Sequence, residues 1–407
     1  MTASAGKSDC LIAGGGPAGM MLGVLLARQG VKVTVLEKHA DFLRDFRGDT
    51  VHPSTLEILD QIGILPEFKK LPQNKVQQLG VHIGDRVQQV VDFRGLSPFD
   101  YLSFVPQWDF LDLLADHGRQ FGNFDLRMRH KATGLIIENG ECAGVRVESP
   151  EGRAELRARV TVACDGRHSI LREQAGLKVM EFGAPMDVLW FRVPRTVEHP
   201  NETFGILGAG KMMVLLNRGD YWQVAYLVPK GKDSDLRETP IEEFRRTIEE
   251  TTYFLEDETG IPASWDDVKT LEVKVDRLEK WFSPGLLVIG DAAHAMSPVG
   301  GVGINLAIQD AVAASNALGP KLLSRGRVPT AVFQSIQDRR LFPTKLVQLF
   351  QIQAQKRVIT AALASKDRPP DLPAILRFLL KFRFFRNIPA RFIGYGIGRE
   401  RVRGVSG

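Results

Sequence analysis

The chain of 407 residues has few cysteines, and the three that it has form no CxxC pair and no metal-ligand spacing. Cys10, Cys142 and Cys164 cannot all pair, so we expect reduced thiols in a cytoplasmic protein, no bound metal and no disulfide chemistry. Uncharged apolar runs of about eighteen residues, the length needed to cross a bilayer, do not occur. The first residues have no apolar signal core, and we therefore expect neither a membrane-spanning helix nor secretion.

Basic residues only slightly outnumber acidic ones. Lys and Arg number 53, Asp and Glu number 48, and the formal net charge is +5. Near the C-terminus basic residues alternate with aromatic ones, and two interpretations stay open: a helical cap whose aromatic face packs on the body, or peripheral contact with a membrane surface. We expect no nucleic-acid partner, and no oligomeric state is predicted. The residues concerned are Arg377, Phe378, Lys381, Phe382, Arg383, Phe384, Phe385, Arg386, Arg391, Phe392, Tyr395, Arg399, Arg401 and Arg403.

A glycine-rich turn between two apolar strands is the most informative segment of the chain. Gly14, Gly16 and Gly19 have the spacing GxGxxG, and the second apolar strand ends on Glu37. In such a turn the first glycine permits the tight bend, the second lets a pyrophosphate approach the backbone, and the third lets helix and strand pack closely. The helix N-terminus supplies free N–H groups, and an acid about twenty residues on suits a ribose hydroxyl. This order predicts a bound dinucleotide.

Two later strands also end in short motifs. A strand in residues 160–172 ends in Asp165 and Gly166, and a strand in residues 286–311 ends in Gly290 and Asp291. An ionised carboxylate at a strand end accepts hydrogen bonds well. We therefore expect the second motif to bind a ribityl or ribose hydroxyl.

A proline-glycine turn follows the second of these motifs. It has the form Pro298-x-Gly300-x-x-Gly303-x-Asn305 and leads into a helix near Ile304. Glycines let the backbone approach a flat ring closely. The helix directs its positive end at that ring, where it stabilises negative charge by about 1 kcal/mol or more.

Taken in this order, the GxGxxG, DG and GD motifs resemble those of the flavoprotein hydroxylase superfamily typified by para-hydroxybenzoate hydroxylase. The resemblance covers residues 9–315 and becomes weak after about residue 318. Arg47 stands eight residues before Thr55 of a T-L-E helix, as the flavin-contacting arginine does in that family, and Gln107 matches a family glutamine that opens a helix. The resemblance implies an α/β fold in which a Rossmann-like FAD-binding domain is interleaved with a β-sheet substrate domain and followed by C-terminal helices. The expected domains are residues 1–75, 101–176 and 277–340 for FAD, 76–100 and 177–276 for the substrate sheet, and 341–407 for the C-terminal helices.

The cofactor predicted from this resemblance is tightly bound FAD. The Asp165 and Gly166 element resembles the family segment that contacts both FAD and the nicotinamide donor. A second GxGxxG unit is missing from the sequence, so we expect NAD(P)H to bind only transiently. The cofactor-binding candidates are Gly14, Gly16, Pro17, Ala18, Gly19, Glu37, Lys38, Arg47, Gln107, Ala132, Asp165, Gly290, Asp291, Pro298, Gly300, Gly303, Ile304 and Asn305.

The activity that the resemblance implies is that of an FAD-dependent monooxygenase. It would use NAD(P)H and O2 to hydroxylate an aromatic or other electron-rich small molecule through a flavin hydroperoxide, while the protein binds, orients and excludes water. The alternatives are a reductase or oxidase of an isoprenoid or lipid-like substrate and a non-catalytic flavin-binding protein. A flavin-dependent halogenase is disfavoured because the nearest match to the W-x-W-x-I-P motif of that family, VAYLVP at residues 224–229, lacks both tryptophans.

Side chains from the sheet domain are expected to line the substrate site beside the proline-glycine turn. No residue is assigned as catalytic acid or base; His294 is interpreted as structural, and His52 is considered as a site residue. Ser54 is the expected N-cap of the helix that contains Thr55, and residues 242–255 are expected to be helical. The substrate-site candidates are Trp190, Trp222, Tyr226, Pro298 and Val299, with Phe191 beside them.

Overall fold

The computed structural model of the chain describes residues 8–43, 50–84, 86–252, 254–255, 262–365 and 374–403. Strands and helices alternate at first, a strand-rich block follows, and helices dominate the last third. The strands are β1 (Ser8–Ala13), β2 (Val33–Leu36), β3 (Thr50–Val51), β4 (Asn74–Val76), β5 (Gln78–Ile83), β6 (Arg86–Asp92), β7 (Leu102–Phe104), β8 (Phe124–Arg127), β9 (Lys131–Glu138), β10 (Glu141–Ser149), β11 (Gly152–Ala163), β12 (Val179–Glu181), β13 (Met186–Pro194), β14 (Phe204–Leu207), β15 (Met212–Asn217), β16 (Tyr221–Pro229), β17 (Lys269–Leu271), β18 (Asp276–Leu278), β19 (Phe282–Ser283) and β20 (Leu286–Val288). The helices are α1 (Pro17–Arg28), α2 (Pro53–Gln61), α3 (Leu65–Phe68), α4 (Gln107–Arg119), α5 (Ile170–Gln174), α6 (Asp233–Arg237), α7 (Ile241–Thr251), α8 (Gly303–Leu323), α9 (Thr330–Ala354), α10 (Thr360–Ala364), α11 (Ala374–Leu379) and α12 (Arg383–Tyr395), with 3₁₀ turns at Trp265–Asp267, Gly290–Ala292 and Val299–Gly301 and a π-helical turn at Gln355–Ile359.

A largely parallel sheet lies at the centre of the molecule. Its strands follow the order β19-β20-β11-β1-β2-β8, and β1 runs parallel to both β2 and β11. β2, β20 and the last four residues of β11 are buried along their whole length because both faces of the sheet are covered there. Helices α1, α4 and α8 pack on one face, and the β9–β10 hairpin with α5 packs on the other. Parallel pairing brings the carboxyl ends of β1, β11 and β20 to the same edge.

A second, largely antiparallel sheet has the order β17-β13-β16-β15-β14-β5-β6. Its strands lie in residues 78–92 and 186–271, inside the two ranges that the sequence assigns to the substrate domain. Side chains alternate between its two faces. One face packs an aromatic-rich core against α7. The other face packs against Val299, the π-helical turn after α9 and helix α10.

The C-terminal helices close the molecule against its N-terminal part. Helix α9 packs along α8, and α12 packs against β6 and α2. Arg399 donates to both carboxylate oxygens of Glu57 in α2, at 2.9 and 3.0 Å. None of the helices in the described part of the chain is long and apolar enough to cross a membrane.

Two local expectations were wrong. Helix α2 begins at Pro53 with His52 as its N-cap, so Ser54 lies inside the first turn and its buried Oγ has no hydrogen-bond partner among the described residues. Proline is favoured at the first helical position because it has no N–H to leave unpaired. The helix expected over residues 242–255 is present as α7 but ends at Thr251, and Thr252 has an extended conformation.

Removal of one large side chain from the aromatic core of the second sheet tests this packing. Trp222 is buried, with its ring 5.9 Å from that of Phe204 and 5.8 Å from that of Phe254. We expect Trp222→Ala to lower the free energy of unfolding by about 3–5 kcal/mol because it leaves a cavity. Val197→Ala, at a side chain 97% exposed, is the control. Similar urea-unfolding free energies for the two variants would contradict this assignment.

Candidate flavin site

Three loops meet at the carboxyl edge of the parallel sheet. A Cβ atom built on Gly14 would lie 2.3 Å from the carbonyl oxygen of Cys164, next to Asp165. A Cβ built on Gly290 would lie 3.0 Å from the Cβ of Ala18. The GxGxxG, DG and GD motifs are therefore in backbone contact, as one cofactor spanning all three requires.

The first of these loops forms a cradle at the N-terminus of α1. Gly16 is the N-cap residue, with φ −74°, and no side chain caps the first turn of the helix. A Cβ on Gly16 would meet no atom within 4 Å, whereas one on Gly19 would lie 1.9 Å from the Gly14 carbonyl oxygen. The open space and uncapped N–H groups fit a pyrophosphate, so the residues present suit FAD. Pro17 occupies the first helical position.

The acid after the second strand supports the same cradle. Glu37 is buried and accepts hydrogen bonds from the backbone N–H of Gly15 at 3.1 Å and of His39 at 3.0 Å. Its carboxylate therefore lies beside the glycine turn, where an adenosine ribose is expected. Lys38 follows with an exposed side chain.

Asp165 and Asp291 end neighbouring strands and present carboxylates of different character. Burial raises the pKa of Asp165, whose Oδ1 has no partner among the described residues. A buried acceptor without a partner suits a hydroxyl donor of a bound group. Asp291 is 39% exposed, and its Oδ2 lies 3.5 Å from Nη2 of Arg167. The Asp291 carboxylate is therefore partly accessible to a ligand, and it also lies close to the guanidinium of Arg167.

The proline-glycine turn forms a 3₁₀ turn that leads directly into α8. Gly300 and Gly301 have φ of +78° and +62°, a region that favours glycine. Helix α8 starts at Gly303, and no side chain caps its N-terminus. Uncapped N–H groups in this position can stabilise negative charge on a ring held against the turn. Ile304 and Asn305 lie in the first turn of the helix.

His52 lies under this turn rather than in an open site. Its Nδ1 is 2.9 Å from the carbonyl oxygen of Ile393, and its Nε2 is 3.0 Å from that of Gly301. A neutral imidazole has one N–H and donates to only one of the two. Burial lowers the pKa of His52 to about 4, although both carbonyl contacts oppose this shift. Beside it, Thr55 donates to Oδ1 of Asn305, so α2 holds the start of α8.

A buried ion-pair network supports the GD motif from behind. Asp310 accepts from the backbone N–H of Gly290 at 3.1 Å and from Arg340 at 2.9 Å, and it also contacts Nε2 of His294. Burial opposes ionisation of Asp310, yet His294 and Arg340 hold its pKa below the ordinary value. His294 is buried against Trp281. Its contacts agree with the structural role inferred from the sequence.

Three glutamines of α9 and the π turn hold the segment that precedes the proline-glycine turn. Gln348 donates to the carbonyls of Ala295 and Asp276 at 3.3 and 2.7 Å. Gln351 donates to the carbonyls of Ser297 and Val299 at 2.8 and 2.9 Å. Gln355 donates to the Ser297 hydroxyl at 2.5 Å. All three are buried. Sequence reasoning missed them, and the only signal was their spacing of three and four residues, which puts them on one helix face.

Other predicted cofactor residues lie at varied distances from these loops. Gln107 is the first residue of α4, which packs on α1. Ala132 lies in β9, opposite Val147 of β10, and packs at the edge of the core on the far side of the parallel sheet. Arg47 lies outside the described residues. The assignment of these three residues to FAD stays a prediction.

The second sheet meets the proline-glycine turn through one face only, here called the site face. Trp190 lies on this face, in the same cluster as Val299 of the turn. Trp222 and Tyr226 lie on the opposite face with Phe191, in the core against α7. The structure therefore places Trp190 and Val299 against the same buried cluster, and Trp222 and Tyr226 in the core on the other side of the sheet. The site face is formed by Trp190, Met212, Val214 and Leu271, and it is covered by Val299, Ile359 and Leu363.

The fold and these loops define a flavoprotein with a Rossmann-type cofactor domain. The family described as FAD binding domain matches residues 7–349, and the chain belongs to this family. A 6-methylpretetramide 4-monooxygenase of Streptomyces rimosus is 28% identical over 410 residues, covering 98% of this chain and 95% of the relative. A dialkyldecalin synthase of Streptomyces rugosporus is 27% identical over 405 residues, covering 97% and 81%.

A solved structure shows the same fold along nearly the whole chain. The p-nitrophenol 4-monooxygenase PnpA from Pseudomonas putida DLL-E4 superposes with a TM-score of 0.79 at 20% identity, covering 97% of this chain and 99% of the other. The predicted fold class, the FAD cofactor and the assignment as an FAD-dependent oxidoreductase are confirmed. NAD(P)H as a transient cosubstrate is typical of such enzymes.

The open space at Gly16 leads to a test of the cradle. We expect Gly16→Val to fold normally but to bind less than about a tenth of the FAD of the parent chain, because the side chain fills the pyrophosphate space. Gly122 also has nothing within 4 Å of a built Cβ, so Gly122→Val is a matched control that keeps its FAD. Flavin absorbance relative to protein, with circular dichroism, measures both effects. A yellow Gly16→Val protein would contradict the assignment.

The buried His52 predicts a pH dependence of stability. Its pKa is lowered from 6.5 to about 4 by burial, so between these pH values the unfolded chain holds a proton that the folded chain lacks. Stability should therefore fall as pH falls through this window, by about 3 kcal/mol in total. His52→Gln should flatten this part of the profile, and His168→Gln, at an exposed residue whose pKa is lowered by partial burial, should flatten it less. Equal slopes in all three proteins would exclude a neutral, buried His52.

Proposed function

We propose that this chain hydroxylates a phenolic or other electron-rich aromatic ring, taking electrons from NAD(P)H and one oxygen atom from O2. The observation that carries the proposal is that Val299 and Trp190 pack against the same apolar cluster of the site face. It sets an apolar, enclosed face next to the turn that is expected to carry the flavin ring. The relatives named for p-nitrophenol and 6-methylpretetramide support an aromatic substrate.

The chain's own residues supply binding, orientation and exclusion of water. When bound, FAD accepts a hydride from NAD(P)H and activates O2 for transfer of an oxygen atom. The N-terminus of α8 would stabilise negative charge on the ring edge. Ile359 and Leu363 close the site face from the α9 side, and an apolar enclosure of this kind keeps water from the reacting atoms.

The glutamine contacts support a precise position for the ring. Gln351 holds the carbonyls on both sides of Pro298, so the turn is attached to a long helix rather than free at the surface. A fixed turn keeps the substrate lining and the cofactor in one relative geometry, which catalysis by proximity requires.

A reductase or oxidase of a lipid-like substrate is the second candidate. The apolar character of the site face favours it, as does the exposure of aromatic side chains on the C-terminal helices. One relative is named as a synthase, so the assay must also detect a reaction that consumes neither O2 nor NAD(P)H.

Labelled dioxygen distinguishes these activities. The FAD-loaded chain is screened against phenols and polycyclic aromatics for faster NAD(P)H oxidation with little peroxide, and the product is analysed after reaction under ¹⁸O₂. We expect one labelled oxygen atom in each product molecule. Consumption of NAD(P)H with an unlabelled, reduced product would indicate a reductase, and product formation without O2 and NAD(P)H would indicate a synthase; either result would contradict the proposal.

Two tryptophans on opposite faces of one sheet provide matched variants for the same assay. Trp190→Phe alters the site face, and we expect KM to rise about tenfold, with more peroxide, because loss of a fitted apolar contact costs about 1–3 kcal/mol. Trp222→Phe changes only the core behind the sheet and should lower stability without changing KM. Equal effects on KM would show that Trp190 does not line the substrate site.

A further inference from the structure

An exposed aromatic surface is formed by the last two helices and the turn between them. Phe384 is 71%, Phe378 57% and Ile388 53% exposed. The phenylalanine rings form a chain of contacts: the centroid of Phe378 lies 5.5 Å from that of Phe382, Phe382 lies 6.5 Å from Phe385, and Phe385 lies 5.4 Å from Phe384. Single exposed apolar side chains are ordinary, but a contiguous group marks an interaction site. We call Phe378, Phe382, Phe384 and Ile388 the C-terminal face.

These side chains are not needed to attach α12 to the body. The inner side of this helix carries Ala390, Ile393 and Tyr395, all buried, and the Tyr395 hydroxyl donates to the Phe99 carbonyl at 2.7 Å. Asn387 donates to the backbone carbonyl of Asp92. Helix α12 thus packs on the body through this side, but Phe378, Phe382 and Phe384 are exposed, so the interpretation that the aromatic face packs on the body holds only in part.

Basic residues border the C-terminal face. From residue 372 to residue 399 the sequence contains Lys and Arg but neither Asp nor Glu. Lys381 and Arg391 are exposed. Arg383 and Arg386 lie 4.0 and 3.9 Å from the buried carboxylate of Asp92, which Arg94 already binds at 2.7 Å. The outer edge of the face therefore keeps a positive charge.

We propose that the C-terminal face docks on an anionic lipid bilayer. Phe384 and Ile388 lie four residues apart on one side of α12, so the helix can lie in the plane of the interface with its apolar side among the lipid chains. Lys381 and Arg391 then face the anionic headgroups. Aromatic side chains are enriched at the membrane–water interface.

A second copy of the chain fits this surface less well. In a symmetric pair the same patch meets itself, so the basic edge of one copy would face the basic edge of the other. Like charges in contact oppose association. An anionic bilayer instead pairs every exposed cation with a headgroup, and no helix of the described residues is able to span it, so the attachment is peripheral.

Vesicle flotation with the full-length, FAD-loaded chain tests the proposal. We expect binding to phosphatidylcholine vesicles that contain about 30% phosphatidylserine, at least tenfold weaker binding to pure phosphatidylcholine, and release by about 0.5 M salt. Phe384→Ser with Ile388→Ser, and separately Lys381→Glu with Arg391→Glu, should each weaken binding at least tenfold. Val197→Ser with Ile137→Ser, at exposed apolar residues elsewhere, should bind like the parent chain.

Two results would overturn the proposal. One is equal binding to anionic and neutral vesicles, or no effect of the paired variants, in protein whose FAD content and melting temperature are unchanged. The other is a dimer in light scattering that the Phe384→Ser and Ile388→Ser changes dissociate without vesicles, which would make the surface a contact between copies. Because NAD(P)H oxidation is measured in solution, failure here leaves the proposed reaction untouched.

Discussion

The structure depends on the absence of a side chain at Gly14. Since a Cβ there would lie 2.3 Å from the Cys164 carbonyl oxygen, glycine alone lets the ends of β1 and β11 touch. Parallel pairing with β20 then adds the GD loop at the same edge. The flavin site is thus an outcome of strand order and backbone approach, with the carboxylates of Asp165 and Asp291 placed by the strands that they end.

Buried polar side chains of α8 and α9 hold these loops in position. Asp310 holds the N–H of Gly290, and Gln351 holds the backbone around Pro298. Buried polar groups are costly unless they are paired, and these pairs connect α8 and α9 to loops that would otherwise be free to move. Helix α9 therefore supports these loops from behind, although it carries none of the glycine motifs.

Sequence motifs predicted the strands, turns and helices of this edge well because each is a local feature, while the residues that touch FAD stay a prediction. Gly16 and Asp165 lie where the spacing put them. The substrate side was predicted less well: alternation shows that Trp190 and Trp222 belong to strands, but not which face meets the flavin, since strand pairing decides this over long distances. The role of Gln351 was missed because glutamines on a helix resemble an ordinary solvated surface, and the family likeness fades before α9.

The order of the strands also limits when the cofactor can bind during synthesis. β1 and its glycine turn leave the ribosome long before β20, which lies at residues 286–288, and the glutamines and arginine that hold its loop come later still. Since domains assemble from the chain as it emerges, the nascent polypeptide has only an incomplete nucleotide groove until those residues have been made. Capture of FAD is therefore a late event in biogenesis, and partly made chains expose the unpaired edge of β11 until then.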